Sequence, residues 1–230
     1  MSSPHGISRP QALMDLLLVL LLTVGAGIIA ALFAARGGGA SLLPMIVLQG
    51  GLILLGMQLL LWRRGQRWRS LGLVNFRLQD VPLGLLALGI VFVVNLLLSG
   101  LLLLTSPDVL SGHQQELAGV ADWLVGGHSL WTLLAITFFI GFYEEVLARG
   151  FILNRCQVLF PGVWAPVILS SVLFGLGHLY QGWFGVVQTA VIGLVFARLM
   201  VRWGSLWPLI LAHTGLNFAS LSVFRLLGAE

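Results

Sequence analysis

Two adjacent glutamates, Glu144 and Glu145, lie in an apolar stretch running from Ser129 to Leu153, with Arg149 one helical turn further on. A carboxylate at mid-bilayer costs at least ~2.5 kcal/mol on insertion scales, so an intramembrane pair marks a functional site by default. Two histidines, His178 and His213, and an amide, Asn217, fall in later apolar stretches. On a helix, side chains four positions apart share a face, while neighbours diverge by about 100°. Glu145 and Arg149 are therefore stacked for an ion pair, and Glu144 points elsewhere and is left free. His213 and Asn217 share one face, as do Phe174 and His178. Carboxylate and imidazole are proton-transfer groups, so the set suits acid–base catalysis or a proton-coupled transport path.

These residues need helices to hold them. Stretches 12–34, 42–62, 81–104, 129–153, 163–181, 183–201 and 205–227 reach or approach the ~20 apolar residues that cross a hydrocarbon core. The sequence thus predicts an all-α polytopic transmembrane bundle of about seven spans, with room for an eighth crossing or re-entrant piece in 42–78 and an active site within the bundle. The run 12–34 is too long for a signal h-region of ~7–15 residues and reads as an uncleaved first span. Gly37-Gly38-Gly39 separates the first two spans, and 105–128 reads as a long polar loop. Counting inward, Glu144 is 11 residues from Arg155 and His213 is 11 from Arg202. Both then sit ~17 Å deep, in one layer. His178, counted from Pro161, comes out too deep at ~25 Å unless the proline-bearing segment lies in the interface and its helix starts late.

The chain has 230 residues, is 58% hydrophobic and 9% charged, and all 12 of its basic residues are arginine. That composition excludes a soluble domain. The arginines recur between apolar runs and form no continuous face, so the net charge of +4 implies no nucleic acid. Arg9, the arginines from 63 to 77, Arg149, Arg155, Arg198 and Arg202 fall on one side of the predicted bundle, against an acidic loop carrying Asp108, Glu116 and Asp122. The positive-inside rule makes the N-terminus cytoplasmic; Arg36 and Arg225 run against it. Organisation follows as one integral-membrane domain. Residues 1–124 supply N-terminal spans, the basic loop and the acidic loop, and residues 125–230 the catalytic region.

Plainer roles exist for each residue. Glu145–Arg149 alone would be a structural ion pair, and an isolated histidine or Asn95 would join neighbouring helices. Asp15 is expected near the interface, and His113 and His128 in water. Ser170 and Ser171 suit helix packing, Gly175 and Gly177 permit close backbone approach, and the single Cys156 forms no internal disulfide. Glu144 is the hardest to dismiss in this way.

Glu144-Glu145-Val-Leu-Ala-Arg149, Phe174-Gly-Leu-Gly-His178 and His213-Thr-Gly-Leu-Asn217 resemble, in order, the Glu-Glu-x-x-x-Arg, Phe-x-x-x-His and His-x-x-x-Asn motifs of the CAAX-protease and bacteriocin-processing family of intramembrane proteases. The resemblance covers about residues 125–225. It implies peptide hydrolysis in the membrane. Glu144 would then be the general base for a water, His178 would orient that water or protonate the leaving amine, and His213 with Asn217 would donate to the oxyanion. Arg149 would hold Glu145, and Phe174 would line the pocket. The family is often termed metalloprotease, and Glu144, His178 and His213 would be the ligands of a zinc ion if one were bound. A metal-free reaction is favoured, because Asn217 is a poor zinc ligand and the helical two-histidine pairing is missing. The expected partner is a membrane peptide or protein, prenylated in the eukaryotic relatives, together with lipid. The lysine-free composition points to a bacterial inner membrane. The alternatives are a proton-coupled transporter and a non-catalytic scaffold or immunity protein.

Overall fold

The computed structural model describes residues 6–36, 42–125 and 128–227, in helices joined by turns and short irregular segments. The triglycine joint at 37–39 lies outside the described residues, as do the side chains of Arg36 and Asp122. The helices are α1 (Arg9–Arg36), α2 (Leu42–Arg63), α3 (Asp80–Thr105), α4 (Pro107–Val125), α5 (Leu130–Glu145), α6 (Leu153–Leu159), α7 (Trp164–Leu176), α8 (Gly182–Trp203) and α9 (Trp207–Leu227). A π-helical turn, Val146–Ile152, fuses α5 and α6 into one rod. Single 3-10 turns stand at Trp68–Leu71 and Leu179–Gln181.

Six helical segments are long and apolar enough to cross a membrane: Arg9–Phe33, Leu43–Arg63, Asp80–Thr105, Leu130–Leu159, Leu179–Trp203 and Trp207–Leu226. Their outward faces are leucine-rich, with Leu21, Leu96 and Leu104 among the most exposed side chains. A helix apolar all round has no reason to turn those side chains inward when its solvent is lipid. The chain is an integral-membrane, all-helical bundle.

Several sequence expectations change. The stretch 163–181 is no full span, because α7 has 13 residues and rises only about 20 Å. Residues 60–80 add no eighth crossing; a 3-10 turn there packs Leu71 into the core. The loop 105–128 is largely the helix α4, whose Asp, His, Gln and Glu residues lower its hydropathy while leaving an amphipathic face. That face buries His113, whose Nδ1 and Nε2 lie 3.3 Å from the Gln181 carbonyl and 3.0 Å from Gln188 Oε1. Gln188 in turn donates to Asn95 of α3 at 3.1 Å. His128 is also half-buried rather than solvated, and its carbonyl accepts from Arg225.

Asp15 is held by protein groups rather than by solvent. It is fully buried, accepting from Arg64 (Nη2, 2.8 Å) and Arg155 (Nε, 3.2 Å). Arg155 also donates to Gln66 and Asn154 and stacks over Phe151. This cluster ties the start of α1, the end of α2 and α6 together at the arginine-rich end.

α9 packs between α3 and α5, because small residues let the backbones approach. Gly141 of α5 faces Thr214, and Gly84 of α3 faces Leu211 and the Pro208 carbonyl. One core cluster joins Leu16, Ile53, Met57, Phe151 and Ile210; a second joins Val91, Phe196 and Ala212. The two flank α9 on either side. α7 lies against α8, with Gly175 beside the Val186 carbonyl and Ser171 beside Gly193. Ser170 and Ser171 both donate to the Val167 carbonyl.

Candidate active site

α5 begins at Ser129, whose hydroxyl accepts from the Thr132 amide, and delivers Glu144 and Glu145 in its last turn. The π-helical turn follows at once. Such wide turns inside α-helices occur frequently at functional sites. Glu145 is completely buried, and its Oε1 accepts from Arg149 Nη1 at 2.6 Å and from His213 Nδ1 at 2.7 Å. The carboxylate therefore holds an arginine of its own rod and a histidine of α9 together.

The guanidinium of Arg149 is further fixed between two rings, 4.1 Å from the Phe174 centroid and 5.3 Å from that of Phe196. Stacking of this kind favours a buried cation without adding another charge. Phe174 also lies against His178 (4.7 Å between centroids) and edge-on to His213. The aromatic pair thus sets both histidines as well as the arginine.

His213 lies between the two glutamates. Its Nδ1 donates to Glu145, and its Nε2 stands 3.7 Å from Glu144 Oε2. His178 presents Nε2 to the same oxygen at 3.8 Å, because its Nδ1 donates to the Phe174 carbonyl at 2.9 Å. Carbonyl and carboxylate can only accept, so each Nδ1 carries a proton and Nε2 is the nitrogen that each ring turns toward Glu144. Glu144 Oε2 is buried without a hydrogen-bond partner, while its Oε1 accepts from the Tyr143 hydroxyl at 3.2 Å. Two imidazole nitrogens and one carboxylate oxygen converge at distances too long for direct hydrogen bonds. A water molecule between them can donate to two of the three.

The structure thus brings Glu144, Glu145, Arg149, Phe174, His178 and His213 into one cluster. The common depth of Glu144 and His213 follows from their contact. His178 reaches the same layer because α7 starts at Trp164 and ends short, leaving the histidine on the turn before α8. Asn217 is half-buried one turn beyond His213 and makes no hydrogen bond among the described residues. Tyr143 and Phe196 belong to the cluster without any sequence signal, since an aromatic residue in an apolar span resembles its lipid-facing neighbours.

Among the described residues no group of three or more His, Cys, Asp or Glu side chains is disposed to hold a metal ion. Zinc ligands at about 2.0–2.2 Å stand roughly 3.3–3.6 Å from one another in a tetrahedron. The separations of 3.7 and 3.8 Å around Glu144 Oε2 are wider than that. The chemistry below is written for these side chains alone.

The model of the Rce1-like family, type II CAAX prenyl endopeptidase Rce1-like, matches residues 126–219. Over that stretch the chain is similar to this family. The match takes in Glu144 to Asn217 and so contains all three motifs. The Rce1-like region comprises α5 to most of α9, whereas α1 to α4 lie outside it. Comparison with curated proteins and with solved structures gives no match.

Proposed function

We propose that this protein is an intramembrane endopeptidase that hydrolyses a peptide bond with a water activated by Glu144. The observation that carries the reading is the unpartnered Glu144 Oε2 facing the Nε2 atoms of His178 and His213. A water seated there gives one hydrogen to Glu144 and the other to a histidine, which directs its lone pair at a carbonyl. Glu144 takes the proton as the water oxygen bonds to the carbonyl carbon. Glu144 then passes that proton to the leaving amine by way of His178 Nε2, which has no partner closer than Glu144 Oε2. His213, in its imidazolium form, donates from Nε2 to the oxyanion, with Asn217 on the same helix face. Glu145 offsets the imidazolium charge, and Arg149 balances Glu145. Loss of one oxyanion donor typically costs about 10²–10³ in rate.

The substrate in this reading is a peptide or protein held in or at the membrane, with a prenylated C-terminal segment as the first class to test. The protein sits in a bacterial inner membrane with its N-terminus and the arginine-rich end in the cytoplasm. The test uses detergent-purified protein with a panel of prenylated and unprenylated quenched fluorescent peptides, with and without chelator. Cleavage by wild type and none by Glu144→Ala supports the reading, and activity that survives chelation supports the metal-free form. No cleavage of any peptide, with proton-dependent flux in vesicles instead, would replace it with the transporter reading.

A further inference from the structure

Tyr143 belongs to none of the three motifs, yet among the described residues it is the one side chain that hydrogen-bonds Glu144. Adjacent helical positions diverge by about 100°, so the two side chains meet only if the phenol is bent around the helix and held there. Gly50 of α2 supplies that hold. A Cβ at Gly50 would stand 2.7 Å from both Tyr143 Cδ1 and Phe139 Cε1, so only glycine lets the two rings close on this backbone. Tyr143 is buried, and its ring packs on that of Phe139 at 5.5 Å. The consequence falls on Glu144, whose Oε1 is engaged and whose Oε2 is left open toward His178 and His213.

We propose that Tyr143, seated by Gly50, is a positioning residue that fixes the Glu144 carboxylate with Oε2 presented to the reacting water. The proposal rests on the hydrolytic reading above. It also brings α2, outside the Rce1-like region, into the construction of the site. A free glutamate side chain rotates about several bonds, and a hydrogen bond from a pinned phenol to an ionised oxygen removes that freedom before substrate arrives.

The decisive variant is Tyr143→Phe, which keeps the ring on Gly50 and deletes only the hydroxyl. On a peptide that wild type cleaves, kcat should fall about 10-fold or more, the range for a hydrogen bond to a charged partner, with KM unchanged. Infrared difference spectra supply a readout independent of turnover. The carboxylate stretching band that disappears in Glu144→Gln should shift in Tyr143→Phe. Gly50→Ala should shift the same band by displacing the phenol. Wild-type kcat with an unmoved band overturns the proposal, as does a loss shared between kcat and KM with an unmoved band. If wild type cleaves no peptide, the hydrolytic reading fails, while the band still decides whether Tyr143 holds Glu144.

Discussion

Asp15→Ala is expected to destabilise the whole protein although it lies far from the site in sequence and outside the Rce1-like region. Asp15 accepts from Arg64 and Arg155, and both Asp15 and Arg155 have 0% side-chain exposure. Without the carboxylate, Arg155 keeps only the neutral oxygens of Gln66 and Asn154 and the Phe151 ring. Removing one partner of a buried ion pair typically costs about 3–5 kcal/mol, because the other charge stays buried. At roughly 2–4 °C per kcal/mol for a chain of about this length, the unfolding midpoint should drop by ~6–20 °C. Arg64→Ala should cost less, about 1–2 kcal/mol, because Arg155 still neutralises Asp15. The pair Asp15→Leu with Arg155→Met should recover most of the loss, since no charge is then left in the interior. The assay is thermal unfolding in one detergent, followed by intrinsic tryptophan fluorescence. An Asp15→Ala midpoint within ~2 °C of wild type, or a double variant no better than the single, would refute the reasoning.

Other substitutions probe the site and its supports. Arg149→Lys keeps the charge but not the planar stack between Phe174 and Phe196, so peptide cleavage should fall about 10-fold; wild-type rates would show that charge alone suffices. Gly175→Ala places a Cβ 2.6 Å from the Val186 carbonyl, which forces α7 off α8 and moves His178. A cost of about 1–3 kcal/mol in stability and a lower kcat are expected, read by unfolding and peptide turnover. His113→Leu removes the link from α4 to Gln181 and Gln188. Faster amide hydrogen exchange in α4 and in the Leu179–Gln181 turn should follow, and unchanged exchange would mean that apolar contacts alone hold α4.

The long spans were legible because hydropathy over ~20 residues reports the solvent, and lipid selects it strongly. The pairing of Glu145 with Arg149 was legible for a similar reason, being local to one helix. What escaped depends on partners distant in sequence. Asp15 reads as an interfacial acid until α2 and α6 bring Arg64 and Arg155 to it, 49 and 140 residues away. His113 reads as a solvated loop residue until α4 folds onto α8. The four-residue rule placed Glu144 and Glu145 on diverging faces, which is correct for the helix alone. It could not reveal that a histidine from α9 would lie between them and face both.

The shortness of α7 has a consequence for the bilayer itself. A helix rising about 20 Å leaves roughly 10 Å of a 30 Å hydrocarbon layer to be filled by something else. Beyond its end stands an irregular turn carrying His178, exposed Tyr180 and Gln181, with the amphipathic α4 beside it. Backbone of that kind is tolerated at membrane depth only against protein or water. A short hydrophobic surface is met by a thinner bilayer, by flanking residues that reach the interface, or by association with another helix. Under the proposed hydrolysis, the reactant that oil excludes would find its shortest path to the site beside this truncated helix.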